Sequence, residues 1–285
     1  MIEDRRNKQM RTKTIWTRIA VCLLAVAAAY GETGARRMAA KDRGRQLAVL
    51  PDVDHVFPYL LSSGAWTSTL YLTNLEDREI NVGCEFVGTN GEERPLQFSF
   101  SAADEPTGYT ESRIAKFSTE SFSTVSTATA LTTAWVYCAA ETQTDRFSGY
   151  VVVRNTASNG AAREFITPLQ PDAEPVFSVP LSDTATSTTG LILVNTSLDA
   201  ESNLGLWAFN RDGENVGTST LTLPAGALRV VVLNEAFKEL KSGTVRVVVV
   251  DGTKAVTGLA LRTNAAGFAA FAPLAPREAP PAPPE

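Results

Sequence analysis

The sequence predicts an all-β protein, two tandem antiparallel β-sandwich domains behind an N-terminal signal peptide. Three observations predict it. Apolar residues make up 44% of the chain and fall in short runs rich in Val, Thr, Ser and Gly, the composition of strands. Turn signals punctuate these runs about every 8–14 residues, with no long helical stripe between them, as a sandwich requires. The chain also matches itself over most of its length, which marks a repeated structural unit.

The N-terminal segment "MRTKTIWTRIAVCLLAVAAAYGE" (Met10–Glu32) begins basic, runs apolar from Ile19 to Ala29 and ends in small residues. That is the make-up of a secretory signal peptide, placed over residues 1–31. Its 11 apolar residues fall short of the about 20 that cross a membrane, so no span is expected after cleavage behind Ala29 or Gly31. Cys22 sits in the apolar run without the spacing of a lipoprotein signal. Export implies a periplasmic or extracellular location. Residues 32–54, charged and rich in Arg and Ala, form a linker.

Two copies follow, over 55–172 and 173–276. "VFPYLLSSGAWTSTLYLTNLEDREINVGCEFVGTNGEE" (Val56–Glu93) parallels "VFSVPLSDTATSTTGLILVNTSLDAESNLGLWAFNRDGEN" (Val176–Asn215). Each opens on Val-Phe, passes a Ser/Thr/Gly stretch and enters an alternating strand that ends in Asn74 or Asn195. "FSGYVVVRNTASNGAAREFITPLQP" (Phe147–Pro171) parallels "VTGLALRTNAAGFAAFAPLAP" (Val256–Pro276). In the second copy strands are predicted near 176–181, 188–195, 203–210, 217–223, 228–233, 243–250, 255–262 and 267–272. "NEAFKELKSG" (Asn234–Gly243) reads as one or two helical turns, capped by Asn234, with Phe237 and Leu240 on one face. Its counterpart, Ser118–Thr133, is Ser/Thr-rich and reads as an irregular excursion or an extended edge. The closing "REAPPAPPE" (Arg277–Glu285) cannot pack and forms a disordered tail.

"FNRDGEN" (Phe209–Asn215) sets acidic and amide side chains around a glycine, as a calcium loop does. Calcium takes about six oxygen ligands and a distant bidentate Glu, which neither this stretch nor "GTNGEE" supplies. Asn-Gly and Asp-Gly are the preferred pairs of tight hairpin turns, both residues taking positive φ, so the segment is read as a turn.

Formal charge is −5, and residues 1–31 hold six bases against Glu3 and Asp4, leaving 20 basic and 29 acidic residues. An acidic mature chain argues against a nucleic-acid partner, which needs clustered Lys and Arg. His55 is the sole histidine and reads as a solvated residue at a domain entrance. Without a second histidine or a G-x-S-x-G elbow, nucleophilic triads have no basis. No zinc-ligand cluster, phosphate loop or dinucleotide fingerprint is present, so no cofactor is expected. Paired carboxylates would still allow a glycosidase. Cys84 and Cys138 remain after export, an even count in an oxidising compartment that favours one disulfide. Two buried core thiols are the alternative.

Aromatic residues are the better candidates for a site. Trp66 and Trp135, with Tyr59, Tyr71, Tyr109 and Tyr137, enrich the first copy, whereas the second has only Trp207 among its tryptophans. Such rings stack on sugars or anchor a protein partner; the competing role is core packing. Trp135 and Tyr137 share one face of their strand, Val136 and Cys138 the other. If the cysteine face is core, the two rings point outward or toward the second domain. Trp66, Trp135 and Tyr137 are therefore the candidate ligand contacts.

"TAWVYCAAE" invites comparison with the immunoglobulin strand that carries a cysteine and a tyrosine, and Cys84 and Cys138 are 54 residues apart, a span that a bridge between two sheets could have. Since Tyr137 adjoins Cys138 and no Trp follows Cys84 at the immunoglobulin spacing, the sandwich is immunoglobulin-like by analogy only. A second likeness rests on Phe57-Pro58, Gly64, Trp66-Thr67 and Asn74 in the first copy. In the second it rests on Gly213, Gly258, Leu261-Arg262, Asn264, Phe268 and Pro273. This pattern resembles an uncharacterised group of secreted bacterial tandem β-sandwich repeats found in Acidobacteria. Ala185-Thr186 replaces the Trp in the second copy. The resemblance implies export and a sandwich fold, and it implies no reaction. The expected function is a non-enzymatic binding or assembly protein of the envelope or extracellular space, with a polysaccharide or protein partner. A carbohydrate-active hydrolase, or its accessory binding module, is the runner-up.

Overall fold

Nine strands between residues 55 and 171 fall into two sheets. They are β1 (His55–Ser62), β2 (Trp66–Asn74), β3 (Ile80–Gly88), β4 (Tyr109–Ile114), β5 (Thr119–Ser123), β6 (Thr132–Ala140), β7 (Phe147–Thr156), β8 (Ala162–Pro168) and β9 (Gln170–Pro171). The second copy holds β10 (Val176–Leu181), β11 (Ser187–Asn195), β12 (Ser202–Asn210), β13 (Asn215–Leu223), β14 (Leu228–Val232), a short helix α1 (Leu233–Ala236), β15 (Gly243–Gly252), β16 (Val256–Asn264) and β17 (Gly267–Phe271). This computed structural model describes residues 55–91, 109–124, 130–142, 144–158, 160–171, 176–181, 186–252, 255–264 and 267–271. The predicted signal peptide, linker and Pro-rich tail lie outside the described residues.

Four antiparallel sheets result. Sheet I has the order β5-β2-β7-β8 and sheet II the order β4-β3-β6-β1-β9. Sheet III, β14-β11-β16-β17, repeats the order of sheet I, and sheet IV, β10-β15-β12-β13, repeats that of sheet II without a counterpart to β9. Among the described residues no sheet mixes strands from the two copies. The all-β sandwich is thus what the strand spacing predicts.

Burial stacks the sheets in the order I–II–III–IV. Phe57 on β1 sets its ring against Gly149 on β7, so this face of sheet II packs on sheet I. Phe177 does the same to Gly258 between sheets IV and III. Sheets II and III then cover each other. Ile192, Val194, Leu228, Leu259 and Leu261 of the second copy belong to the same buried cluster as Val56, Leu60, Trp135 and Val136. Leu191, Leu193, Leu206 and Val247 belong to a separate cluster between sheets III and IV. Strands buried on both faces read as unbroken apolar runs, which explains "VFPYLLS" on β1 and "LILV" on β11, both buried throughout.

The two repeated asparagines have the same duty. Asn74 Nδ2 donates to the carbonyls of Arg78, Ile114 and Ala115, and its Oδ1 accepts from the Glu76 amide. Asn195 Nδ2 donates to the carbonyls of Ala200, Leu223 and Pro224, and its Oδ1 accepts from the Ser197 amide. Each side chain ties the end of one strand to the turn leaving the opposite sheet, where backbone groups would otherwise be buried unpaired.

The structure corrects four expectations. Cys84 and Cys138 are bonded, but as directly opposed residues of neighbouring β3 and β6, with Cα atoms 4.1 Å apart. The bridge lies within sheet II and does not join two sheets, because both cysteines sit on its sheet I face. The "GTNG" and "RDG" turns have positive φ only at Gly91 and Gly213. The Gly91 amide closes back on the Gly88 carbonyl and the Gly213 amide on that of Asn210, so the loop is longer than a two-residue hairpin and carries a bulge at Ala208/Phe209. Asn234 does not cap α1. Its side chain instead bonds the Thr189 amide and the Ser187 carbonyl on β11, while Phe237 and Leu240 are buried as predicted. His55 is half-buried, edge-on to Phe147 at 4.5 Å, and is not a solvated entrance residue.

Two measurements check this architecture. Reduction of the denatured chain should add about 2 Da to its intact mass; an unchanged mass would leave Cys84 and Cys138 as free thiols. Asn195→Ala should lower unfolding stability by roughly 2–4 kcal/mol, because several inward-facing backbone groups lose their partner together. A loss below about 0.5 kcal/mol in urea unfolding would show that other partners replace it.

Candidate functional site

The three predicted contact residues all sit at the junction between the sandwiches. Trp135 leaves sheet II on the face away from the disulfide, is 1% exposed, and donates its indole N–H to the Gly226 carbonyl at 2.9 Å. Tyr137, on the same face, is half-buried, lies 5.9 Å from the Trp135 ring and donates its hydroxyl to the Glu85 carboxylate. Trp66 stands edge-on to Phe268 of β17 at 6.1 Å, and Phe268 meets Phe165 of β8 at 5.8 Å. Of the two directions left open for Trp135, outward or toward the second domain, the structure shows the second. Trp135 anchors the second sandwich and is closed to an external ligand, as is the space between the copies around it.

The accessible aromatic face of the first copy is the outer side of sheet I. Tyr71 and Tyr150 are directly opposed on β2 and β7 and stack at 4.9 Å with an 18° interplanar angle. On the β5 side, Thr69 pairs with the Ser123 hydroxyl and Thr73 with that of Thr119, each at 2.8 Å. Val152 and exposed Ile166 extend the face across β7 and β8, and Arg154 pairs with Glu164 at its far side. Strand register gives this surface a counterpart in sheet III. Tyr71 and Tyr150 correspond to Ile192 and Leu259, Val152 to Leu261, and Thr119 and Ser121 to Leu228 and Val230. The second copy's version is aliphatic and covered by sheet II. The first copy's version is aromatic and hydroxylated and faces water.

At the end of this face lies the turn Ala115–Ser118. The Ser118 amide returns to the Ala115 carbonyl and the Phe117 amide to the Glu76 carbonyl. Pro224–Ala227 is built the same way, with the Ala227 amide on Pro224 and the Gly226 amide on Ser197. Gly226 has φ 65° and is buried; Phe117, in its place, has φ 51° and is 68% exposed. A left-handed backbone costs a residue with a side chain about 1–2 kcal/mol, and the largely exposed ring recovers little of it by burial. Beside it, Arg146 Nε donates to Glu76 Oε1 at 2.8 Å. That bond, with one from the Arg146 amide, lowers the Glu76 pKa below its usual range. The stabilisation is present above the ordinary carboxylate range and is lost as pH falls through the lowered pKa.

Tyr150 and Phe117 escaped the sequence reading. The first is invisible without the β2–β7 register, and the second reads as one more apolar residue until its backbone angle is known. Turn residues Asp212 and Glu214 hold no cation cluster. Asn210 Oδ1 accepts from the Asp212 and Glu214 amides, and among the described residues no group of three His, Cys, Asp or Glu side chains converges. No helix among the described residues is long and apolar enough to cross a membrane. No protein-family model matches the chain, and no curated protein matches it.

Phe117→Gly should raise unfolding stability by roughly 0.5–1 kcal/mol, since glycine tolerates the left-handed turn and the exposed ring contributes little. Chemical denaturation reads it; a loss of stability would mean the ring packs usefully in the isolated chain.

Proposed function

We propose that the chain is an exported, non-enzymatic binding or assembly protein of the cell envelope or extracellular space, and that the outer face of sheet I is its recognition surface. One observation carries the reading. This face is the register counterpart of a sheet III face that already serves as a docking surface, yet it is free and rebuilt from tyrosines and hydroxyls. Tyrosine gives large contact area at little loss of side-chain freedom, and interfaces are enriched in it. A surface of this make-up remains soluble when unoccupied, which a reversible partner requires. The basic, apolar and small-residue segments before Glu32 support export.

A glycan is the second reading of the ligand. It is favoured by the Tyr71–Tyr150 stack lying among the paired hydroxyls of Thr69, Ser123, Thr73 and Thr119, because sugars are recognised by rings and hydrogen bonds together.

The test is retention of the mature chain on isolated envelope and insoluble polysaccharides, with and without Tyr71→Ser/Tyr150→Ser. The double variant should lose retention while its stability falls by only about 1 kcal/mol, the worth of a cross-strand pair. Competition by soluble sugar would assign the glycan ligand. Retention unaltered by the double variant would move the site off sheet I.

A further inference from the structure

Resting on the assembly reading above, we infer that the partner of the free sheet I face is a second copy of this chain, docked head to tail. Its contact would repeat the junction already inside the molecule. That junction has a donor and an acceptor. The donor is the outer face of sheet III with its turn Pro224–Ala227. The acceptor is the outer face of sheet II with the turn Gly88–Gly91.

The turns interlock closely. The Leu228 amide donates to the Thr89 carbonyl at 2.9 Å, Asn90 and Ala227 form a β-bridge, and the Ala225 carbonyl and Gly226 Cα crowd the place a Gly91 side chain would take. Trp135 closes the contact from the acceptor side through the Gly226 carbonyl.

Each copy of the fold owns both halves, so the molecule keeps one unused donor and one unused acceptor. The unused donor is sheet I with Ala115–Ser118. The unused acceptor is the outer face of sheet IV with Asn210–Gly213, a turn of the same geometry as Gly88–Gly91, with φ 81° at Gly213 against 76° at Gly91. Among the described residues nothing lies within 4 Å of the site a Gly213 side chain would occupy. Of the seven exposed large hydrophobic residues among the described ones, Leu75, Phe117, Tyr150 and Ile166 belong to the donor side, and Val216 and Val250 to sheet IV.

The substitutions at the unused halves are complementary. By register Thr244 stands in sheet IV where Trp135 stands in sheet II, opposite Phe209 as Trp135 is opposite Val87. Inside the chain a tryptophan on the acceptor meets a glycine on the donor. At the free ends the donor carries the bulk, Phe117, and the acceptor offers Thr244 and Gly213. The polar positions match as well. Ala225 and Asn90, neutral within the junction, are replaced by exposed Lys116 on the donor and exposed Asp212 on the acceptor. Strain held at Phe117 is accounted for if its ring is buried only in the assembly. A head-to-tail contact uses two different surfaces, so it propagates rather than closing as a symmetric dimer.

Sedimentation velocity of the full mature chain, from low to high micromolar concentration, tests this. The expected result is a concentration-dependent series of species beyond the dimer. Phe117→Gly should weaken the association about tenfold or more while unfolding no earlier than the parent. Lys116→Asp and Asp212→Lys should each weaken it, and an equimolar mixture of the two should restore it, since the charges then oppose again. A chain that stays monomeric throughout, or association unaffected by all three substitutions, would overturn the inference. Envelope retention separates the two proposals. A monomer still retained through Tyr71 and Tyr150 leaves the recognition surface standing and removes only self-docking; a monomer not retained removes both.

Discussion

A β-sandwich ordinarily leaves the outer side of each sheet to water, but β1, β6, β11 and β16 carry apolar side chains on both sides. Sheets II and III can meet that requirement only by covering one another. Ile192, Val194, Leu228, Leu259 and Leu261 are each worth about 1.5–3 kcal/mol when removed from water, an upper figure since unfolded chains already bury part of it. A single hydrogen bond nets about 1 kcal/mol. Apolar burial therefore holds the sandwiches together, and the bonds from Trp135 to Gly226 and from Leu228 to Thr89 decide the register in which they meet.

The asparagines make that register possible. Asn195 places the Pro224–Ala227 turn at the edge of sheet III, and the turn projects Gly226 far enough to reach Trp135. Only glycine suits the position, because a Cβ there would come within 2.8 Å of Gly91 Cα. Asn74 builds the same projection beyond sheet I, where the apex is largely exposed, and phenylalanine occupies it. The same backbone device thus tolerates opposite side chains, according to whether its surroundings are already filled.

Much of the architecture was legible in the sequence. Strand bounds in the second copy follow the alternation and turn pattern to within a few residues. The matched Val-Phe, Asn and Gly positions were detectable because each has a structural duty: Phe57 and Phe177 rest on Gly149 and Gly258, and Asn74 and Asn195 tie sheets together. Pairing was not legible. Parity along "TAWVYCAA" left Trp135 with two possible surroundings, since a strand apolar on both faces has no outward signature. The same lack of register hid Tyr150 beside Tyr71 and set the cysteines between sheets instead of within one. The Asn234 side chain serves a strand and not the helix it precedes, a choice of partner made in space rather than along the chain.

The two copies of one surface differ in the way that a permanent and an exchangeable contact must differ. Ile192, Leu259 and Leu228 of sheet III are closed to water in the folded chain, so aliphatic side chains there carry no solubility cost and maximise burial. Sheet I faces water from the moment the chain folds. Leucines at Tyr150 and Thr119 would leave a broad apolar patch open to nonspecific association. Hydroxyls at Thr69, Thr73, Thr119 and Ser123 satisfy one another across strands, so the face is solvated when alone and loses little when covered. Tyrosine adds area for a partner without adding a water-shunning surface. The chemistry of recognition here is therefore concentrated on the face whose counterpart has been committed to the fold, and its polarity is what keeps it from the same fate.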